Sequence, residues 1–440
     1  MSISHRLRTR LAGAALGVVL VVTACSTDAE VEAGPDDVEN ASAIDIAEVS
    51  FSDDVALFDS SVVHDIEIEL DEEDYAQMIE TYETTGEKDW ISVTVTIDGT
   101  TIEDAGLRLK GNSSLFGLTT ETADAPEELP WLVQLDEFVD DQSYQGYTDL
   151  VIRSNSTETA MNEAVAVELL GVAGLATQEA IATTLTVNGG ETELRLAMEH
   201  PDEIWAEDEF GDDDGLLYKA DSEGDYSYRG DDPDAYDDVF DQKAGDDDLE
   251  PLIEFLDFVN NADDATFAAE LGDHLDVDDF ATYLAFQELI GNFDDIDGPG
   301  NNSYLYLDPD TDRFTVVNWD LNLAFDTANV GGGGPGLGGP GVGGPGGDAG
   351  RGGPPVGGPG GPGGAFGGNV LSERFLADDD FAALYEEALV ELRAAMYDSG
   401  AANDIVTTWT EVLTDQASEL VDVSTIEAEA AAILVSIQGA

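Results

Sequence analysis

Apolar and polar residues alternate from His64 to Leu70 (His-Asp-Ile-Glu-Ile-Glu-Leu), a two-residue period that predicts a strand with one buried face. Glu73 to Tyr82 shifts to a helical period, and Ile91 to Lys110 reads as two strands around an Asp98-Gly99 turn. Trp131 to Asp136 and Thr148 to Arg153 extend the sheet. A helix follows from Thr157 to Leu170, then strands at Ala182 to Val187 and Glu193 to Met198. Helical spacing dominates from Leu249 to Asn292, and Tyr304 to Leu307 with Phe314 to Val317 predicts a hairpin closed by Asp308-Pro-Asp-Thr-Asp312. Phe381 to Met396, Ile405 to Leu420 and Thr425 to Ile437 are amphipathic at helical spacing. Strands come first and helices later, so the expected class is α+β, with an antiparallel-rich N-terminal sheet followed by a mainly helical part.

Two stretches lie outside this pattern. Between Val330 and Gly368 the chain is almost wholly Gly and Pro, with Asp348 and Arg351 the only charges, a composition that cannot bury a core and predicts a disordered insert at 330–368. At the other end Arg6, Arg8 and Arg10 precede an uncharged run from Leu11 to Thr23, too short to span a bilayer comfortably, which reads as a signal peptide over 1–24. It ends Val22-Thr23-Ala24-Cys25, resembling the lipobox of bacterial lipoproteins. Cys25, the only cysteine, is then the expected lipid attachment site, and residues 25–55 form an acidic tether to a folded body over 56–440. These features imply an extracytoplasmic protein on the outer face of the bacterial cell membrane, attached through the lipid alone.

Charge sharpens the picture. The chain holds 15 Lys and Arg against 96 Asp and Glu, a net charge of −81, and the expected cleavage removes three bases and no acids. Nucleic acid is thereby excluded as a natural partner. Charged residues are nonetheless 25% of the chain and hydrophobic ones 42%, both ordinary for a protein with a sizeable core. No HExxH, GxSxG or Walker lysine motif is present, which sets aside zinc hydrolase and serine hydrolase chemistry.

The remaining candidate chemistry lies in Asn292-Phe-Asp294-Asp-Ile-Asp297-Gly-Pro-Gly-Asn301-Asn302-Ser-Tyr-Leu-Tyr306 and, after the hairpin, Asn318-Trp319-Asp320-Leu-Asn322-Leu-Ala-Phe-Asp326. Asp297 and Asn302 stand five apart, the Asp-x-x-x-x-Asn spacing of a protein-kinase catalytic loop. Asp320 follows a hairpin, where such kinases place the magnesium-binding Asp.

A wider set of motifs occurs in order: Leu107-Arg-Leu-Lys110-Gly-Asn-Ser-Ser114, Met161-Asn-Glu163, Leu196-Ala-Met-Glu199-His200, Leu217-Tyr218-Lys219, Pro251-Leu-Ile-Glu-Phe255, Asn302-Ser-Tyr-Leu-Tyr306 and Trp319-Asp320-Leu-Asn-Leu-Ala-Phe325. Together they resemble the CotH family, named for a spore-coat protein that is an atypical protein kinase. The resemblance runs from about Val62 to the C-terminal helices, including Asn369 to Phe375. It implies an atypical kinase-like fold and transfer of the γ-phosphate of ATP to hydroxyl residues of secreted or surface proteins. Asp297 would be the catalytic base, with Asp294 competing for that role, and Asn302 and Asp320 would hold Mg2+, or alternatively Mn2+ or Ca2+.

Seven of the 12 bases beyond the signal peptide fall between Arg108 and Lys243, namely Arg108, Lys110, Arg153, Arg195, Lys219, Arg229 and Lys243. Scarce positive charge gathered in one stretch of an acidic chain points to an anion or to carboxylate partners. Lys110 is the expected phosphate-steadying strand lysine with Glu163 as its ion-pair partner, and Glu199 with Lys219 is a second expected pair. Many relatives carry lysines in the strand corresponding to Trp131-Leu-Val-Gln-Leu135, and this chain has none there; Arg108 and Arg153 are the candidate substitutes. Asp308, Asp310 and Asp312 imitate the start of a calcium loop, but Arg313 and Trp319 replace its Gly and closing Glu, so a hairpin turn is expected. Asp212 to Gly215 and Gly230 to Asp238 read as solvated turns. A catalytically inactive, kinase-like surface-binding or adhesion protein is the alternative function, and a cation-storing wall protein a third.

Overall fold

The computed structural model describes residues 55–211, 214–221, 224–296, 302–325 and 369–440. The expected signal peptide, Cys25, nearly all of the tether, Asp297 and the Gly/Pro insert lie outside the described residues. Among those described, no helix is long and apolar enough to cross a membrane.

Strands β1 (His64–Leu70), β2 (Ile91–Ile97), β3 (Thr100–Leu109), β4 (Trp131–Gln134), β5 (Asp149–Ile152), β6 (Ala180–Val187) and β7 (Thr192–Met198) form a closed barrel in the order β1-β2-β3-β4-β5-β7-β6. All pairings are antiparallel except β1 with β6. The alternation read from the sequence decides what enters the barrel: Ile66, Ile68, Val93, Val95, Leu107, Leu109, Trp131, Val133 and Ile152 pack together inside. Helix α1 (Glu72–Thr85) sits between β1 and β2, capped by the Asp71 carboxylate at its start and by left-handed Gly86 at its end.

Helix α2 (Met161–Ala173) begins four residues later than its periodicity predicts. Ala160 is left-handed (φ 51°), and the Thr157 and Thr159 hydroxyls accept from the backbone N–H of Ala160 and Met161 (both 3.1 Å), holding 157–160 in a turn. Three further elements are not evident in the hydrophobic pattern: α3 (Glu203–Phe210), β8 (Leu216–Ala220) and β9 (Phe240–Ala244). These short strands join the predicted hairpin, β10 (Ser303–Asp308) and β11 (Arg313–Asn318), in a second sheet ordered β11-β10-β8-β9.

The remaining helices are α4 (Glu250–Asn261), α5 (Asp264–His274), α6 (Val277–Ile290), α7 (Val370–Ala377), α8 (Asp379–Leu392), α9 (Ala401–Gln416) and α10 (Val423–Gly439). Helix α6 is buried on nearly every face, and α2, α4, α8, α9 and α10 contribute to the same core. The expected helix from Phe381 continues past α8 as a π-helical turn at Arg393–Asp398. The Asp308–Asp312 segment is a hairpin turn, with the Asp310 N–H on the Asp308 carboxylate (2.8 Å). The Gly230–Asp238 turn is less free than its composition suggests, because buried Tyr236 donates to the Gly230 carbonyl (3.0 Å) and accepts from the Arg229 N–H (2.8 Å).

Candidate active site

Register across the barrel creates the site. Leu109 lies opposite Trp131, and Trp131 opposite Ile152, with all three side chains inward. The next residues along, Lys110 and Arg153, therefore fall in one outward-facing row two strands apart, about 10 Å at ordinary strand spacing. Both cations lie over the ring of Trp319, Lys110 Nζ at 5.5 Å and the Arg153 guanidinium at 5.7 Å from its centroid. Trp319 follows β11 directly, so the second sheet is seated against the barrel where these cations emerge. Leu132, Val151, Trp205, Leu217, Tyr304, Tyr306 and Trp319 pack in that seam.

Arg153 is the hinge of the electrostatics. Its Nε donates to Glu163 Oε2 (3.1 Å), and one terminal nitrogen lies 2.9 Å from Glu163 Oε1 and also bonds Asp320. Burial disfavours its charge, but the two carboxylates outweigh burial and hold the guanidinium above its ordinary value. The expected Lys110 to Glu163 pair is thus replaced by Arg153 to Glu163. Arg153 precedes α2 by a short turn and reaches its first helical turn, whereas Lys110 is two strands away. Asp320 has φ 60°, a left-handed conformation uncommon for Asp, which turns the chain sharply after Trp319.

Lys110 is surrounded by its own kind. Burial depresses its pKa well below the usual lysine value, and Lys243, Lys219, Arg108 and Arg153 depress it further. Its Nζ is 3.1 Å from His200 Nε2, while His200 Nδ1 is 3.0 Å from Asp149. Burial first, then Lys110 and Lys243, push His200 well below its ordinary value, and burial with Asp202 and Asp136 pushes Asp149 up to about 7. Lys219 is lowered to about 8, chiefly by burial, which the charges of Asp221 and Asp320 oppose. Arg108 stacks on Trp90 (4.7 Å), and among the described residues its buried Nε meets no hydrogen-bond acceptor.

The carboxylate side of the site lies after α6. Gly291 ends that helix in a left-handed turn, and buried Gln287 donates to Asn318 Oδ1 (2.8 Å) while accepting from Asn292 Nδ2 (3.0 Å). One side chain thereby fixes both the loop that carries Asp294 and the strand end that carries Asp320. Asn302 Nδ2 donates to the Asp294 carbonyl (2.8 Å). Burial and the charge of Asp320 raise the Asp294 pKa, so Asp294, Asn302 and Asp320 share one place.

The expected pair of Glu199 and Lys219 does not form among the described residues. Glu199 accepts from the Glu179 N–H (3.2 Å), and burial, opposed by that bond, raises it to about 8, whereas Lys219 faces Asp221 and Asp320. Lys243 was among the seven bases gathered in the sequence; sequence reasoning missed Asp149 and His200 as partners of Lys110 and Trp319 as the platform of the cluster. The last was legible only as the residue before Asp320.

Among the described residues no three His, Cys, Asp or Glu side chains gather into a closed metal cage. Two half-buried carboxylates with an amide beside them, facing a group of cations, suit Mg2+ instead, because Mg2+ takes one or two carboxylates and completes its shell with water and phosphate oxygens. The donor set fits a magnesium nucleotide.

A barrel seated on a second sheet and helices, with a Glu on α2 paired to a strand-end cation and an Asp after a hairpin, defines a kinase-like protein. The family model described as CotH kinase protein matches residues 107–426, most of the chain, and the protein belongs to the CotH kinase family. A search of curated proteins finds no match.

Proposed function

We propose that the protein is a lipid-anchored phosphotransferase that moves the γ-phosphate of ATP to hydroxyl side chains of exported or surface proteins. The observation carrying this reading is the convergence of Arg108, Lys110, Arg153, Lys219 and Lys243 beside Asp320 in a chain of net charge −81. Glu163, Asp320, Asp241 and Asp221 answer part of this charge, and a triphosphate would add anion beside the buried lysines whose charged form burial disfavours. Asp320 and Asn302 would hold Mg2+, which would shield the phosphate oxygens when bound. Arg153, oriented by Glu163, holds Asp320 and faces the phosphates. Lys110 and Lys219 bind them, and Asp297 or Asp294 accepts the proton of the acceptor hydroxyl.

Outside the site, the Arg-led apolar run and Cys25 support export and acylation, which places the reaction beyond the membrane or during passage through it. The test is titration of the full chain with ATP and Mg2+ by calorimetry, together with transfer of label from ATP. Asp320→Ala is expected to abolish Mg2+-dependent binding with the fold intact. A wild-type chain that neither binds ATP nor transfers label with any divalent ion would overturn the reading. One observation favours a non-catalytic binding protein: Arg153 occupies the Asp320 carboxylate that a metal requires. That alternative expects Asp320→Ala to leave ligand binding unchanged.

A further inference from the structure

Helix α2 lacks a cap of its own. Its first turn carries Glu163, yet the residue at the cap position is Ala160, left-handed and without a side-chain hydrogen bond to the helix, so the placing of the first turn falls to the residues before it, whose own N–H groups also need acceptors. The acceptor comes from the other end of the chain. Glu429 on α10 takes the Glu158 N–H on Oε1 (2.9 Å) and the Thr159 N–H on Oε2 (3.1 Å), and its Oε2 also accepts from the Thr159 hydroxyl. Thr159 Oγ1 in turn accepts from the Met161 N–H at the helix start (3.1 Å).

The same turn is tied to the Asp320 segment. The carbonyl of Asn322, two residues beyond Asp320, accepts from both Ser156 Oγ (2.8 Å) and Asn162 Nδ2 (2.6 Å). Residues 153–163 therefore connect three things: Glu429 through 158–159, the Asp320 loop through Ser156 and Asn162, and Asp320 itself through Arg153. We propose that Glu429 is a positioning residue for the phosphate and metal site, acting through the 156–163 turn to set the register of Glu163, Arg153 and Asp320. It lies beyond residue 426, where the family match ends.

The physical reason is that the core packs the body of α2, whereas the position of its first turn depends on how the 156–160 turn enters the helix. Glu163 engages Arg153 in a two-point contact that tolerates little shift of that first turn. A carboxylate that accepts three hydrogen bonds from two consecutive residues fixes that entry. Glu429 is half-buried, and its two bonds to Thr159 are partly withdrawn from water.

The experiment compares the wild-type full chain with Glu429→Ala, Glu429→Gln and Thr159→Val. Amide hydrogen exchange is followed at 156–163 and at 320–325, alongside MgATP binding and thermal melting. Glu429→Ala is expected to speed exchange in both segments and to weaken MgATP binding about tenfold or more, the usual effect of removing a support behind a ligand residue. Glu429→Gln, which keeps one acceptor oxygen but sets an NH2 against the N–H on the other side, should recover only part of the loss. Thr159→Val, a milder lesion, should move both readouts the same way if Glu429→Ala proves poorly folded. A purely structural role predicts a lower melting temperature and faster exchange at 156–163 alone, with 320–325 and MgATP affinity unmoved, and that result overturns the proposal. The nucleotide readout rests on the kinase reading, but exchange at 320–325 does not. If the wild type binds no MgATP, the functional reading falls, while the exchange data still decide whether Glu429 positions the Asp320 loop.

Discussion

Replacing Arg153 with Met tests the central ion pair without changing side-chain bulk much. Glu163 is 1% exposed and Arg153 8%, so the variant strands a buried carboxylate beside Asp320 with no guanidinium to answer either. Breaking a buried pair from one side costs about 3–5 kcal/mol. Unfolding entropy of about 2.1 cal/mol/K per residue over the 51–440 unit makes that a fall of about 4–6 °C in Tm. The loss depends on pH in a definite direction. Burial, and next to it the charge of Asp320, raises the Glu163 pKa above its unfolded value, and without Arg153 it rises further. A carboxyl raised on folding contributes stability that is full below its unfolded pKa and lost as pH rises through the folded value. The gap between wild type and variant should therefore be wide at pH 8 and narrow toward pH 5. Adding Glu163→Gln to the variant should restore part of the stability, whereas Glu163→Gln alone should lower it, a coupling that a double-mutant cycle by thermal or urea unfolding would measure. A Tm within 1 °C of wild type, or a gap equal at both pH values, refutes the buried-pair account.

Three further outcomes follow from the same geometry. MgATP binding near pH 7.5 should take up protons, because Lys110 is depressed well below its ordinary value and Lys219 to about 8, and an arriving polyanion raises both; calorimetry in buffers of different ionisation enthalpy reads the uptake, and affinity should fall as pH rises through 8. Gln287→Leu removes both bonds that tie Asn292 to Asn318 and leaves two buried amides short of partners, so a loss of about 2–4 kcal/mol is expected by urea unfolding, with weaker MgATP binding in the surviving fold. Tyr226→Phe breaks the buried hydroxyl pair with Ser303 (2.8 Å) and should cost about 1–2 kcal/mol without altering the pH dependence of binding.

What the sequence revealed divides along a physical line. The barrel strands were legible because one face of each is dry: β1 was placed to the residue, and the Asp98-Gly99 turn lies between β2 and β3 as expected. Strands β8 and β9 were not, since Leu-Leu-Tyr-Lys-Ala and Phe-Asp-Gln-Lys-Ala are short and gain their burial from partners far along the chain. Helix α3 has hydrophobic residues on no single face, so its period is mute. The site shows the same division. Local motifs pointed to Asp294, Asn302 and Asp320, which do come together, and to a stretch rich in bases, which does supply the cations.

Which base pairs with which acid was beyond reach of spacing, because that choice is made by sheet register. Lys110 and Arg153 stand in one row across β3, β4 and β5, and the pairing of Leu109 with Trp131 and Trp131 with Ile152 determines that both face outward while only Arg153 reaches α2. A one-residue slip in β4 or β5 would turn Arg153 into the barrel and Leu132 or Val151 out of the seam. The same register that fills the barrel thus assembles the cation row, and a lesion in the barrel core at Trp131 should be felt at Asp320 before it is felt in the helices.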